Sequence, residues 1–212
     1  MPNLPISQLP TPDPLTGNEL FAIVQDGVTK QTTLDSITYA PGSNYGLFAQ
    51  TANSTPVTGT TTESTLINGG IGTLSVPANG FNIGDSFRAI FGGVLNVANN
   101  QTLRIRVKTG AVVLLDSGLQ PITNITNNVF NLHIDFTIRT LGGAGVASIV
   151  SLGAFNYIKT SNGAVEGFGF NTVNNTTFNT TINNTLDVTV QWGSNNAGNS
   201  IFSDIFILNK TY

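Results

Sequence analysis

Apolar and polar residues alternate with a period of two in three stretches of this chain, the pattern of strands buried on one face only. Leu132, Ile134, Phe136 and Ile138 share one face, and His133, Asp135, Thr137 and Arg139 the other. Leu103, Ile105 and Val107 oppose Arg104, Arg106 and Lys108. Leu186, Val188, Val190 and Trp192 oppose Asp187, Thr189 and Gln191. The last apolar run differs, because Ile205, Phe206, Ile207 and Leu208 are apolar on both faces. It is expected to be buried on both sides, in mid-sheet or between subunits. The pattern predicts strands over 71–76, 86–97, 103–108, 112–116, 129–140, 146–159, 186–192 and 201–209. Asn79-Gly80, Gly92-Gly93, Asn99-Asn100, Gly142-Gly143 and Asn162-Gly163 supply residues that accept positive φ, as turns require. The polar run 171–184 is expected to be a loop whose amides and hydroxyls bond their own backbone.

About eight strands between 66 and 212, without a helical period, predict an all-β domain. An antiparallel jelly-roll sandwich fits best, with an immunoglobulin-like sandwich second because these strands are long. Upstream, residues 40–65 are dominated by Thr, Ser, Asn and Gly and are expected to be a linker. Residues 1–39 are different again. Five of the nine prolines fall in the first fourteen residues, and proline fixes φ and removes a donor, so this stretch is extended. Leu4, Ile6, Leu9 and Leu15 punctuate an arm that has nowhere of its own to bury them. Leu20, Phe21, Ile23 and Val24 lie on a short strand, Asp26-Gly27 signals a type I′ hairpin turn, and 29–32 returns as the second strand. Thr33 is placed to cap a short helix over 34–37. A lone hairpin is marginal in water, so this region is expected to lie on another protein or to pack as an edge hairpin on its own domain.

The run Leu4-Pro5-Ile6-Ser7-Gln8-Leu9-Pro10, followed by Leu15-Thr16-Gly17-Asn18-Glu19 and Asp26-Gly27-Val28-Thr29-Lys30-Gln31-Thr32-Thr33, resembles the N-terminal attachment segment of tailed-bacteriophage fibre, spike and head-decoration proteins. The resemblance covers about the first forty residues. Residues 72–87 look like part of a virus-associated jelly-roll head of the trimeric, tumour-necrosis-factor-like shape. Together these resemblances imply a virion location, with capsid or tail proteins and further copies of the chain, as a homotrimer, for partners. Contact with a host surface glycan is compatible with that role.

Composition narrows the setting. Only 9% of residues are charged, well below the roughly 25% of an average soluble protein, and 26 Asn and 29 Thr fill the gap. The net charge of −3 offers no basic face for nucleic acid. Without cysteine there is neither a disulfide framework nor a thiolate metal site. Residues 1–20 lack the basic and apolar blocks of a signal peptide, and no run has the length of a membrane span. An outward-looking composition without those features is expected of a protein released by cell lysis within a virus particle.

Candidate chemistry is sparse. His133 has Asp135 beside it on the polar face, yet no serine elbow or cysteine accompanies the pair, so a surface histidine is expected rather than a general base. The acids are dispersed, and glycosidase chemistry needs two at a defined separation. No catalytic, cofactor or metal residues are therefore assigned. The stripe Arg104, Arg106, Lys108 is expected to be a solvated face paired across strands with acids such as Asp135. The alternative function is a carbohydrate-binding module, for which Tyr157, Phe168 and Phe170 are the candidate glycan contacts, Trp192 being expected in the core.

Overall fold

The computed structural model describes residues 20–33, 45–159 and 163–212, and the chain divides into two units, Met1–Ser43 and Asn44–Tyr212. In the first unit β1 (Leu20–Gln25) and β2 (Val28–Thr33) form an antiparallel hairpin. Asp26 and Gly27 at its turn have φ of 54° and 75°, the positive pair that a type I′ turn demands and Asp-Gly tolerates. The arm residues Leu4, Ile6, Leu9 and Leu15, and the helix expected over 34–37, lie outside the described residues.

The second unit is all-β among its described residues, with every strand pairing antiparallel in two sheets. The large sheet contains β3 (Tyr45–Gln50), β4 (Val57–Thr58), β6 (Gly70–Gly72), β8 (Ser86–Val97), β12 (Ile125–Thr140), β13 (Ser148–Ile158), β14 (Val165–Asn175) and β16 (Ser200–Lys210). Its order is β14-β13-β12-β8-β16-β3-β6, with β4 on β16. The small sheet contains β5 (Ser64–Thr65), β7 (Ser75–Val76), β9 (Gln101–Thr109), β10 (Val112–Asp116), β11 (Gln120–Ile122) and β15 (Asn184–Trp192). Its order is β10-β9-β15-β5, with β11 on β9 and β7 on β15. The expected strand 71–76 is thus split, its two ends pairing in different sheets.

Period-two alternation drives this packing. Leu103, Ile105 and Val107 from the small sheet, and Leu132, Ile134 and Ile138 from the large one, are fully buried in one apolar cluster, as are Val188, Val190 and Trp192. Phe91 and Phe206 stack at its centre, centroids 4.1 Å apart and planes 7° off parallel. Two contacts tie the sheets through polar atoms. The Trp192 indole Nε1 donates to the Val57 carbonyl at 2.9 Å, and the Ser203 hydroxyl donates to the Leu66 carbonyl at 2.5 Å.

Four expectations need correction. The described part of the supposed linker, 45–65, is woven into both sheets, with Phe48, Ser54 and Val57 buried. Its hydroxyls serve the backbone: Ser54 Oγ accepts from the Ser203 amide at 2.9 Å while the Ser54 amide donates to the Ser203 carbonyl at 2.8 Å. A Thr/Ser-rich composition therefore marks a crossing rather than a tether. Next, Asn171 to Asn175 continue β14 instead of opening a loop. Third, Gly92-Gly93 is not a turn but the middle of β8. A Cβ on Gly93 would meet the Phe202 carbonyl oxygen at 2.1 Å, so only glycine fits there. Opposite it, the β16 register slips between Ser203 and Ile205. This is a bulge, and it inverts the side-chain faces: Ile201 and Ser203 point inward before it, Phe206 and Leu208 after it. The fourth correction follows. β16 does lie in mid-sheet, between β8 and β3, but within one chain only one of its faces is covered: Ile205 and Ile207 face outward, 53% and 38% exposed.

Candidate functional surfaces

The hairpin β1–β2 carries apolar side chains with little to cover them in its own unit. Leu20, Phe21, Val24 and Val28 are 62%, 41%, 74% and 57% exposed, while Ile23 is half-buried. Among the described residues these two paired strands have no second layer over either face.

The candidate glycan contacts prove to be interior groups. Tyr157 and Phe170 are buried, and Phe168 is half-buried against the core. Their rings run in a chain, Phe168 lying 5.8 Å from Phe170 and 5.2 Å from Phe155, with Phe155 6.0 Å from Tyr157. Gly153 makes room for this, since a Cβ there would meet the Phe170 ring at 2.6 Å. The missing signal was β14 itself, whose alternation puts Phe168 and Phe170 inward and Gly167 and Gly169 outward. Tyr157 is further fixed at its hydroxyl, which accepts from the Thr123 amide at 3.0 Å and donates to Glu166. Burial, and then that hydrogen bond, raise the Tyr157 phenol above its ordinary range. Lys159 at 2.5 Å, then Tyr157 and Thr123, hold the Glu166 carboxyl down at about 2.

The basic stripe on β9 is paired, but not with Asp135. Arg104 donates to Asp116 through Nε at 2.7 Å and also through Nη2. Arg106 reaches Asp116 at 3.2 Å and bonds Glu63 as well, and Lys108 lies 3.1 Å from Glu63. Thr189 donates to the same Glu63 carboxylate at 2.5 Å, and Thr65 to Asp187 at 2.6 Å. Burial raises the Asp116 carboxyl, but Arg104, the Gly118 amide and Arg106 outweigh it and hold the group at about 2. Burial also opposes ionisation of Glu63, and the Thr189 and Lys108 bonds with the charges of Arg106 and Lys108 reverse the sign to a net lowering. This network fastens β5 and β10 to β9–β15 and leaves no uncompensated cation on the stripe.

His133 lies exposed on the outer face of the large sheet. Its would-be partner Asp135 is engaged by Arg88 Nε at 2.7 Å, so the pair is not arranged as a base and its orienting acid. A buried ion pair that the sequence did not signal joins Lys210 and Asp85 at 2.8 Å, and Asp85 also accepts from the Asn82 amide at 2.9 Å. Among the described residues, no group of three or more His, Asp or Glu side chains is placed to hold a metal ion. No helix of the described structure is long and apolar enough to cross a membrane. No family model matches this chain, and no curated protein matches it either.

Proposed function

We propose that this chain is a non-enzymatic structural protein of a bacteriophage virion. In this proposal the N-terminal unit anchors it to capsid or tail proteins, and the β unit projects as a trimeric jelly-roll head, within reach of the host surface. It calls for no cofactor, nucleic acid or membrane. The observation that carries it is the division of the chain. A hairpin with exposed Leu20, Phe21, Val24 and Val28 forms a unit apart from a sandwich that has its own complete core. An appended apolar element of this kind is costly unless something covers it.

Strand order supports the jelly-roll assignment. Counting β3, β5, β8, β9, β10, β12, β15 and β16 as strands one to eight, one pairs with eight, eight with three and three with six in the large sheet. Two pairs with seven, seven with four and four with five in the small one. That is the double Greek-key pairing of a jelly roll, with the β13–β14 hairpin added beside strand six. The competing carbohydrate-binding module loses its stacking platform, because Tyr157, Phe168 and Phe170 line the interior.

The test is deletion of residues 1–39. The truncated protein should keep a cooperative thermal transition yet fail to co-sediment with particles of the phage that encodes it, while the full chain does. Equal incorporation of the two forms would refute the anchoring role, and loss of the transition would refute the separation of the units.

A further inference from the structure

The two sheets present opposite outer faces. That of the small sheet is the closed ion-pair network around Arg106 and Glu63. That of the large sheet is aliphatic where strand register brings neighbours into line. Ile71, Ala49, Ile207 and Ile90 lie side by side across β6, β3, β16 and β8, and the row continues to His133 and Ala154 on β12 and β13. Farther along the strands, Phe202, Val94 and Val129 form a second row. Ile71, Ile205 and Val129 are 76%, 53% and 48% exposed. Between the two rows Ile205 lies opposite Gly92, and the line continues to the exposed Asn131 and Asn156 on β12 and β13, so the aliphatic surface is concentrated on β6, β3, β16 and β8.

We propose that this outer face of the large sheet is the surface through which copies of the chain bind one another. The threefold stoichiometry rests on the virion proposal above, but the location of the contact does not.

Area is the first support. The sheet's main path is seven strands wide, and β8 is 12 residues long. The strands of that path run from 3 residues in β6 to 16 in β12, 70 in all, and at about 4.8 Å by about 3.3 Å per residue the face covers about 1,100 Å². Each partner in a standard stable interface contributes about 800 Å², so the face, polar positions included, is wide enough to form one. Charge is the second. The Arg88–Asp135 pair at 2.7 Å is closed on itself, leaving Asp204 and His133 as the other ionisable groups around the rows. A face that is apolar and internally neutralised has no strong charge for an oppositely charged partner to read. It suits a like surface brought up by a rotation axis.

Light scattering on the full chain tests this. At tens of micromolar, the protein should elute at a multiple of its 22.3 kDa mass, three being the expected number. Ile205→Asp and Ile71→Asp should each weaken association about tenfold or more, because each would bury a carboxylate with no partner. Ile182→Asp, at a 52% exposed loop position away from the sheet face, should leave association unchanged. Near-ultraviolet circular dichroism from the buried Trp192 confirms that each variant is folded, and Ile205→Asn gives a second, uncharged probe. A folded monomeric wild type would overturn both the contact and the trimer. An oligomer indifferent to both sheet-face substitutions but lost on deleting 1–39 would overturn the contact alone and leave the virion proposal standing. A dimer disrupted by Ile205→Asp would uphold the contact and refute the trimer.

Discussion

Asp116 offers the sharpest test of how the small sheet is held. Its carboxylate takes two bonds from Arg104, one from Arg106 Nε and one from the Gly118 amide at 2.8 Å, and its side chain is 29% exposed. The folded protein holds this group at about 2, against an ordinary 3.8. A depressed folded value means that the ionised form is favoured by folding. The stabilisation is complete above the unfolded value and is lost as pH falls from about 4 through about 2. The difference corresponds to about 2 kcal/mol at neutral pH. Asp116→Asn keeps an oxygen for the Gly118 amide and removes the charge that two arginines share. Urea unfolding at pH 7 should therefore show the variant less stable by about 2 kcal/mol, and melting should fall by about 4–8 °C for a domain of this size. Near pH 2 the two proteins should come close, because the wild-type group is then half protonated in the fold and its contribution has fallen to about 0.4 kcal/mol. A difference that stayed constant between pH 7 and pH 2, or one below about 0.5 kcal/mol at pH 7, would refute the assignment of this stability to the ion pairs.

Three further outcomes are expected. Asp85→Asn strands the Lys210 ammonium, whose side chain is only 11% exposed, and should destabilise by about 3 kcal/mol in the same urea assay. Trp192→Phe removes the donor to the Val57 carbonyl and leaves a small void where the sheets join, costing about 2 kcal/mol, readable as a lower urea midpoint with unchanged slope. His133→Ala, at an exposed position, should change monomer stability by less than about 0.5 kcal/mol. Polysaccharide hydrolysis by the wild type that disappeared in this variant would overturn the non-enzymatic proposal.

Long strands with a one-sided core were legible in the sequence. β8 and β10 match their expected limits, and the alternation in β9, β12 and β15 assigns faces correctly, because each has one apolar side and one polar side. Short pieces such as β4, β5 and β11 were not legible. Two or three residues carry no period, and for β4 and β5 the place is set by partners more than a hundred positions away, as when Thr65 pairs with Thr189. The surfaces were the least legible. Tyr157 lies on an expected strand, but no strand was expected over 165–175, and without β14 as a partner nothing assigned Tyr157, Phe168 and Phe170 to the inner face. Asp116 and Glu63 find Arg106 only through the β9–β10 turn and the crossing at 51–66, so the partners of the basic stripe were mistaken. The outward Ile205 and Ile207 were hidden by a bulge that no local pattern announces.

That bulge ties together two properties that usually vary independently. The extra residue in β16 determines which side chains reach the core and, by the same shift, which decorate the outside. Loss of Asp204 would heal the bulge and leave the other faces in place, since Ser203 already pairs with Gly93 and Ile205 with Gly92, whereas loss of a residue beyond it, such as Ile207, would turn Leu208 and the Lys210 ammonium out. Deletions should thus be tolerated at Asp204 and purged from the rest of this strand in descendants of the gene, while the turns at 110–111 and 193–198 drift in length. The history of the core and that of the outer face would then be recorded in the same eleven positions.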